Sequence, residues 1–402
     1  MIEPKTFYRE LDSILSNIGG KKSDKNFFRS ILMEVEQKFG QKLNIANGHV
    51  YERRGDDYIL IISCHDNNEK LIQTKIPFKT ETVTQLQKNG IMIFDRLYFM
   101  KDFNFGINYE KITPAAISVH NPVRKWLLVF ELTEGWISEE IMLFLNAMRT
   151  AINYRLFSEM MQNDLKRAEQ IQSSLLPKVS PKFKGFEVYG HSQPAEVVGG
   201  DFYEYFRFDD EDFGASIGDA SGHGIPAALL VRDVVIGLRM GLAKEMRLVH
   251  TIKKLNQVIQ KSTYSTNFVS LFIGEIENND HLFYVNAGHP PPFLVSGDQI
   301  TDLEATGITL GFLPDIDLTR GYIHLQSDSI LVLYSDGIVE REKNEDEQFD
   351  IQRLKDLVVA NRKKSAEDIV KLIYRTVYDF GNRKTWEDDA TVVVIKKTDQ
   401  TS

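Results

Sequence analysis

The chain has 402 residues, with 48 Lys+Arg against 57 Asp+Glu and a formal charge of −9, and this length predicts two domains rather than one core. The acid surplus lies late in the chain: residues 1–150 carry 20 basic and 19 acidic side chains, leaving 28 against 38 for the rest. That balance excludes non-specific nucleic-acid binding, and the single Cys64 excludes an intrachain disulfide or a four-thiolate zinc site. With 42% hydrophobic and 26% charged residues the composition is that of a folded chain. The opening MIEPKTFYREL lacks the apolar core of a signal peptide, and no apolar run approaches the ~20 residues of a membrane helix. A cytoplasmic protein without a membrane span is expected.

In chain order, Phe27, Phe28, Ile31, Leu32, Val35 and Phe39 show helical spacing, and Gly40 is expected as the C-cap. Strands are predicted at His49–Arg53 and Tyr58–Ser63 around the turn Arg54-Gly55-Asp56-Asp57. Two more, Ala115–His120 and Lys125–Leu132, join across Asn121-Pro122. His49, His65 and His120 are scattered, without acids at ligand spacing. This element order resembles a GAF-like (or PAS-like) sensory domain, assigned to residues 1–150.

A helical stretch from Ser138 to Leu176 ends at Pro177, and residues 151–180 form a linker. Within it Met161, Leu165, Ala168, Gln172 and Leu175 step by 4, 3, 4 and 3. This spacing fits a short coiled coil, and hence a homodimer, or one amphipathic helix packed on its own domain. Residues 181–402 then read as consecutive strands with helices in separate blocks, which favours antiparallel sheets flanked by helices, an α+β class. The predicted strands are Phe186–Gly190, Phe202–Phe208, Phe213–Gly218, Phe268–Ile276, Leu282–Val285, Ser329–Tyr334 and Thr391–Ile395. Helices are predicted at Ile225–Ala243, Val249–Ser262, Ile351–Val359 and Ala366–Phe380, the last introduced by Ser365 with Asp368 as a capping pair.

The hairpin turning through Asp209-Asp210-Glu211-Asp212 has its midpoint at residue 210, which places Asp201 beside Asp219. Opposed residues of an antiparallel pair have Cβ atoms ~4.5–5.5 Å apart, and like charges so placed destabilise the sheet. A divalent cation held by carboxylate oxygens is the economical compensation. Glycines flank both acids, in Gly199-Gly200-Asp201 and in Gly218-Asp219-Ala220-Ser221-Gly222-His223-Gly224; each segment read alone is also an ordinary turn. Asp336 follows the apolar run Ile330–Tyr334, and Glu387-Asp388-Asp389 precedes Ala390–Val394. Read alone, these too are an Asp-Gly turn and a solvated acidic loop. Should the four strand ends converge, they would make an oxygen-rich site fit for two metals.

The ordered series GGDFY, IGDASGHGIPAALL, NAGHPPPFLV, LYSDGIVE and EDDATVVV, with the entry helix EQIQSSLLP, resembles the PPM-type metal-dependent serine/threonine protein phosphatases, in their bacterial SpoIIE/RsbU-like branch. The resemblance covers about residues 165–397. It implies an α-β-β-α sandwich, two divalent metal ions (manganese or magnesium) and a phosphoserine or phosphothreonine protein as substrate. By motif, it makes Asp201, Asp219, Asp336 and Asp388 the catalytic metal-binding acids, with Asp219 bridging, the Ala220 carbonyl a further ligand and Asp389 a candidate one. Eukaryotic relatives carry a proton-donating His two residues after the bridging Asp; Ser221 stands there here, so His223 is not assigned as an acid. By the same resemblance, the substrate would be a phosphorylated anti-sigma-factor antagonist, and an unidentified signal would act on the N-terminal domain.

Other patterns compete. Gly214-Ala215-Ser216-Ile217-Gly218 matches the nucleophile elbow G-x-S-x-G, but Ser216 falls within a predicted strand instead of at a strand-to-helix turn. GGDF lacks the second acid of the nucleotide-cyclase GGDEF. His289, followed by three prolines, reads as structural. The rival from another class is a catalytically inactive phosphatase-fold protein acting as a signal-dependent scaffold.

Overall fold

The computed structural model describes residues 25–64, 75–94, 113–208, 212–242, 248–262, 268–344 and 347–398. His65 and the hairpin-tip acids Asp209, Asp210 and Glu211 lie outside them. The chain divides into two compact units, Met1–Asp164 and Leu165–Ser402.

Unit 1 holds strands β1 (Ile45–Arg54), β2 (Asp57–Ser63), β3 (Lys75–Pro77), β4 (Ile91–Ile93), β5 (Thr113–His120) and β6 (Lys125–Leu132). They form one antiparallel sheet in the order β3-β2-β1-β6-β5-β4. Alternation along the strands gives the sheet two apolar faces. Val50, Ile117, Leu128 and Phe130 pack with Phe27, Phe28, Ile31 and Phe39 of the Lys25–Leu43 helix, and with Ile141, Phe144 and Met148 of the Ser138–Leu175 helix. Tyr51, Ala116, Leu127 and Val129, on the opposite face, meet Val83 and Leu86 of the Glu81–Asn89 helix. That helix is capped by Thr80 at its start and by left-handed Gly90 at its end.

Gly40 is not a C-cap. The first helix continues through it to Leu43, which is buried at 2% exposure and extends the apolar stripe. The glycine instead allows close approach, since a Cβ at Gly40 would lie 3.1 Å from the Ile45 carbonyl oxygen. His49 is also less isolated than its sequence neighbours suggest: it is buried, with Nε2 3.7 Å from Glu131 on the adjacent strand β6.

Unit 2 holds β7 (Phe186–Gln193), β8 (Asp201–Arg207), β9 (Phe213–Ala220), β10 (Val269–Ile276), β11 (His281–Ala287), β12 (Phe293–Ser296), β13 (Gln299–Asp302), β14 (Gly321–His324), β15 (Ile330–Tyr334), β16 (Glu342–Asn344), β17 (Glu347–Gln348) and β18 (Ala390–Lys397). Two five-stranded antiparallel sheets run β14-β11-β10-β9-β8 and β13-β12-β15-β18-β7, and β16 and β17 make a small hairpin. The inner faces meet in a core of Tyr203, Phe213, Ile217, Phe272, Leu331, Leu333 and Val393. Helices Gly224–Leu242 and Leu248–Ser262 cover the first sheet through Val231, Val234, Leu238 and Ile252. Helices Ile351–Ala360 and Ala366–Phe380 cover the second through Leu354, Ile369, Ile373 and Val377. The architecture is an α-β-β-α sandwich. Ser365 caps the Ala366–Phe380 helix by accepting from the Asp368 amide at 3.1 Å. The short strands β12, β13 and β14 escape sequence prediction, being four residues each and bounded by Pro- and Gly-rich turns.

Leu333 is fully buried between the two sheets, so Leu333→Ala removes side-chain volume where neither sheet can collapse. Urea unfolding should show a loss of about 3 kcal/mol; a loss under ~1 kcal/mol would mean the inter-sheet packing is loose.

Candidate active site

Strand pairing assembles the acids. The β8–β9 register sets Asp201 opposite Asp219, and Ser270 of β10 lies on the other side of Asp219. In the second sheet, Tyr334 at the end of β15 pairs with Val392 of β18. Just beyond this pair, at the same end of the sheet, Asp336 opens the short helix Asp336–Val339 after β15 and Asp388 precedes β18. The two sheets are tied together here: Ser335 Oγ donates to Asp201 Oδ2 at 2.6 Å and accepts from the Thr391 amide at 2.9 Å.

Burial and neighbouring acids raise three of these carboxyls. Asp219 is pushed up to about 7 by burial, then by Asp336, Asp388 and Asp389. Asp201 is driven well above the usual carboxylate range by burial and by Asp219, and Asp336 is raised by burial, Asp388 and Glu340. Among the described residues, no Lys, Arg or His forms an ion pair with any of these four acids. The neighbouring Glu204, in contrast, is matched by Arg239 Nε at 2.7 Å.

Such a set of hard oxygen donors fits divalent cations. A Cβ at Gly200 would lie 2.5 Å from the Ala220 carbonyl oxygen and 2.8 Å from Asp219 Oδ1, so only glycine keeps that space clear. Among the described residues, no three His, Cys, Asp or Glu side chains stand grouped to hold a metal ion.

Three further residues, each inside a quoted motif, support the acids. Gln172, near the end of the Ser138–Leu175 helix, is buried, accepts from the Gly199 amide at 3.0 Å and donates to the Gly199 carbonyl. Asp389 accepts from the amides of Ala195 at 2.8 Å and Gly200 at 2.5 Å. His289 is buried between the sheets, with Nδ1 2.9 Å from Ser270 Oγ and Nε2 3.2 Å from the Tyr334 carbonyl. A carbonyl only accepts, so Nε2 carries the proton and Nδ1 accepts from Ser270. Burial holds this imidazole neutral by lowering its pKa to about 3. One ring thereby links the strand beside Asp219 to the residue preceding Ser335-Asp336. The NAGHPPP segment hinted at a structural histidine, but only the meeting of β10 and β15 from facing sheets reveals what it joins.

The remaining sequence candidates stand apart from the carboxylates. His223 is exposed and lies 3.3 Å from Glu196. Ser221 is engaged by its backbone neighbour, accepting from the Phe268 amide and donating its own amide to the Phe268 carbonyl, both at 2.9 Å. Ser216 is fully buried in the middle of β9, far along the strand from any helix start, which removes the nucleophile-elbow geometry.

Comparison with known proteins agrees with this architecture. The family model described as Stage II sporulation protein E (SpoIIE) matches residues 209–398. The chain is 29% identical over 241 residues to the phosphoserine phosphatase RsbU of Bacillus subtilis, covering 59% of this chain and 70% of that protein. It is 27% identical over 188 residues to the phosphoserine phosphatase RsbP of the same organism, covering 44% of this chain and 46% of that protein. Among solved structures, the SiaA-PP2C domain of Pseudomonas aeruginosa superposes with a TM-score of 0.54 at 17% identity, covering 60% of this chain and 98% of that one.

The raised pKa of Asp219 has a signed consequence. A carboxyl that binds its proton more tightly when folded stabilises the protein below its unfolded pKa of ~3.9, and loses that contribution as pH rises through about 7. Asp219→Asn should therefore raise the stability of metal-free protein at pH 8 by roughly 2 kcal/mol, with little difference at pH 4. Chemical denaturation in EDTA at both pH values measures this, and equal effects at both would show that Asp219 is not electrostatically strained.

Proposed function

Because its C-terminal unit is a SpoIIE-family phosphatase domain of the PP2C/PPM type, we propose that this chain is a metal-dependent protein serine/threonine phosphatase whose chemistry is carried by Asp201, Asp219, Asp336 and Asp388. The observation that supports the reading best is the electrostatic coupling of these acids at the joined ends of two sheets, with Asp219 pushed up to about 7. Asp201, Asp219 and the Ala220 carbonyl would hold metal from the first sheet, and Asp336 and Asp388 from the second. Two manganese or magnesium ions, when bound, would lower the pKa of water toward neutrality and offset charge on the phosphoryl group. The chain's own part is to orient the acids: Ser335 holds one oxygen of Asp201, and the neutral His289 fixes the spacing between the sheets without adding charge.

The substrate fits the phosphoserine or phosphothreonine of an anti-sigma-factor antagonist, in keeping with relatives named phosphoserine phosphatases. In the same proposal, residues 1–150 form a GAF-like signal-receiving domain, 151–180 a linker and 181–402 the catalytic domain, in a cytoplasmic protein. No described helix is long and apolar enough to cross a membrane. A homodimer through the linker is supported by the exposed Tyr154, Phe157 and Met161, spaced three and four residues apart. Of the heptad positions, Gln172 faces its own unit through Gly199, so at that point the stripe serves intrachain packing.

The test is phosphate release from a phosphoserine protein of this class in the presence of manganese. Activity should be lost by at least a hundredfold in Asp219→Asn and in Asp336→Asn. Absence of phosphate release by the wild type at saturating manganese, as the whole chain and as residues 165–402, would favour the scaffold reading. Gln172→Ala should lower activity about tenfold through the Gly199 contact, with near-normal stability by thermal unfolding; unchanged activity would make that contact incidental.

A further inference from the structure

We propose that Asp389 is a positioning residue that builds the Gly199-Gly200-Asp201 loop from outside the metal-binding set. The proposal rests on the phosphatase reading and assigns its two neighbouring carboxylates different tasks.

Both Asp389 oxygens are turned to the loop: Oδ1 accepts from Ala195 N at 2.8 Å, while Oδ2 accepts from Gly200 N at 2.5 Å with a longer contact to Asp201 N at 3.4 Å. Charge-assisted bonds of this kind are the strong ones, and a carboxylate occupied by amide donors is oriented by them. Asp389 is buried at 9% exposure, whereas Asp388 is exposed. The Asp389 amide in turn donates to Asp388 Oδ1 at 2.7 Å, which orients the acid that is free to reach outward.

The first loop glycine has the same explanation. A Cβ at Gly199 would overlap the Asp389 carboxylate, including Cγ at 2.6 Å and Oδ1 at 2.7 Å. Gly199 is thus small because Asp389 lies against it, while Gly200 is small because the Ala220 carbonyl and Asp219 do. The loop amides are all taken: that of Gly199 by Gln172, and those of Gly200 and Asp201 by Asp389. Two side chains from distant parts of unit 2 thereby set the entry of Asp201 into β8.

The two tasks predict opposite behaviour without metal. Removing a charge that serves only to hold cations relieves repulsion. Removing Asp389 leaves loop amides unsatisfied, and asparagine does not replace it, because its NH2 group would face an N–H donor. The experiment uses the whole chain with Asp388→Asn, Asp389→Asn and, as a second probe of the same contact, Gly199→Ala. Thermal unfolding is followed in EDTA, and manganese binding by the electron paramagnetic resonance of the free ion.

Asp389→Asn and Gly199→Ala should each lower the metal-free midpoint by about 4 °C. They should retain the wild-type number of manganese sites with affinity weakened about tenfold, and kcat should recover as manganese is raised. Asp388→Asn should keep or raise the midpoint and lose a site, without recovery. Loss of a manganese site in Asp389→Asn with an unchanged or higher midpoint overturns the proposal, as does wild-type behaviour of Gly199→Ala. Wild-type protein that binds no manganese overturns the metal reading beneath it, and that result appears before any variant is compared.

Discussion

The arrangement of unit 2 is governed by one unfavourable contact: strand register puts Asp201 directly opposite Asp219. Nothing local favours this. Like charges at opposed positions weaken a sheet, and both carboxyls are held above their ordinary range by burial and by other acids. The pairing persists because the register of β8 and β9 is set elsewhere. Phe202 turns outward to the helix-covered core, while Tyr203 and Ile217 turn inward between the sheets. A one-residue slip would exchange those faces. The large apolar requirement therefore imposes a small electrostatic cost at the strand ends, which is where cations can offset it.

Around the acids, the fold supplies no cation: among the described residues none of the four is ion-paired. Cationic side chains would neutralise the site permanently. Two of the groups that join the two sheets here are a hydroxyl, Ser335, and a neutral imidazole, His289. The arginines pair with acids beside these four: Arg239 pairs with the buried Glu204, and the buried Arg341 pairs with Glu387 and donates to the carbonyls of Thr385 and Lys384. The outcome is a hydrogen-bonded frame that brings no cation to unbalanced carboxylates.

Much of this was legible in sequence, for a definable reason. A hairpin is local, so its register follows from counting residues about the turn, and Asp201 and Asp219 could be opposed without coordinates. The long apolar runs of β15 and β18 likewise announced Asp336 and Asp388 at strand ends. What escaped depends on contacts far apart in the chain. Gln172 meets Gly199, Ser335 meets Asp201, and Asp389 meets Gly200 across separations of 27, 134 and 189 residues. Periodicity marked Gln172 only as the polar member of a heptad stripe. Gly40 failed in the other direction: its local signal was that of a C-cap, but the apolar stripe running on to Leu43 kept the helix going.

The Gly199-Gly200 loop shows how far one helix can influence such a site. Its amides have side-chain partners in place of a strand, so its shape depends on Asp389 and Gln172 together. A glutamine making two hydrogen bonds to backbone contributes about 1–3 kcal/mol in net terms. A shift of that size changes the population of a loop conformation by roughly 5- to 150-fold. Moving a two-state site from almost fully off to almost fully on requires about 5.5 kcal/mol. Gln172 alone therefore suffices to modulate the placement of Asp201 but not to switch it completely. A larger response needs the relief of carboxylate repulsion on cation binding to act in the same direction. Loop position and cation binding are then linked, each favouring the other, because both depend on where Asp201 enters the sheet.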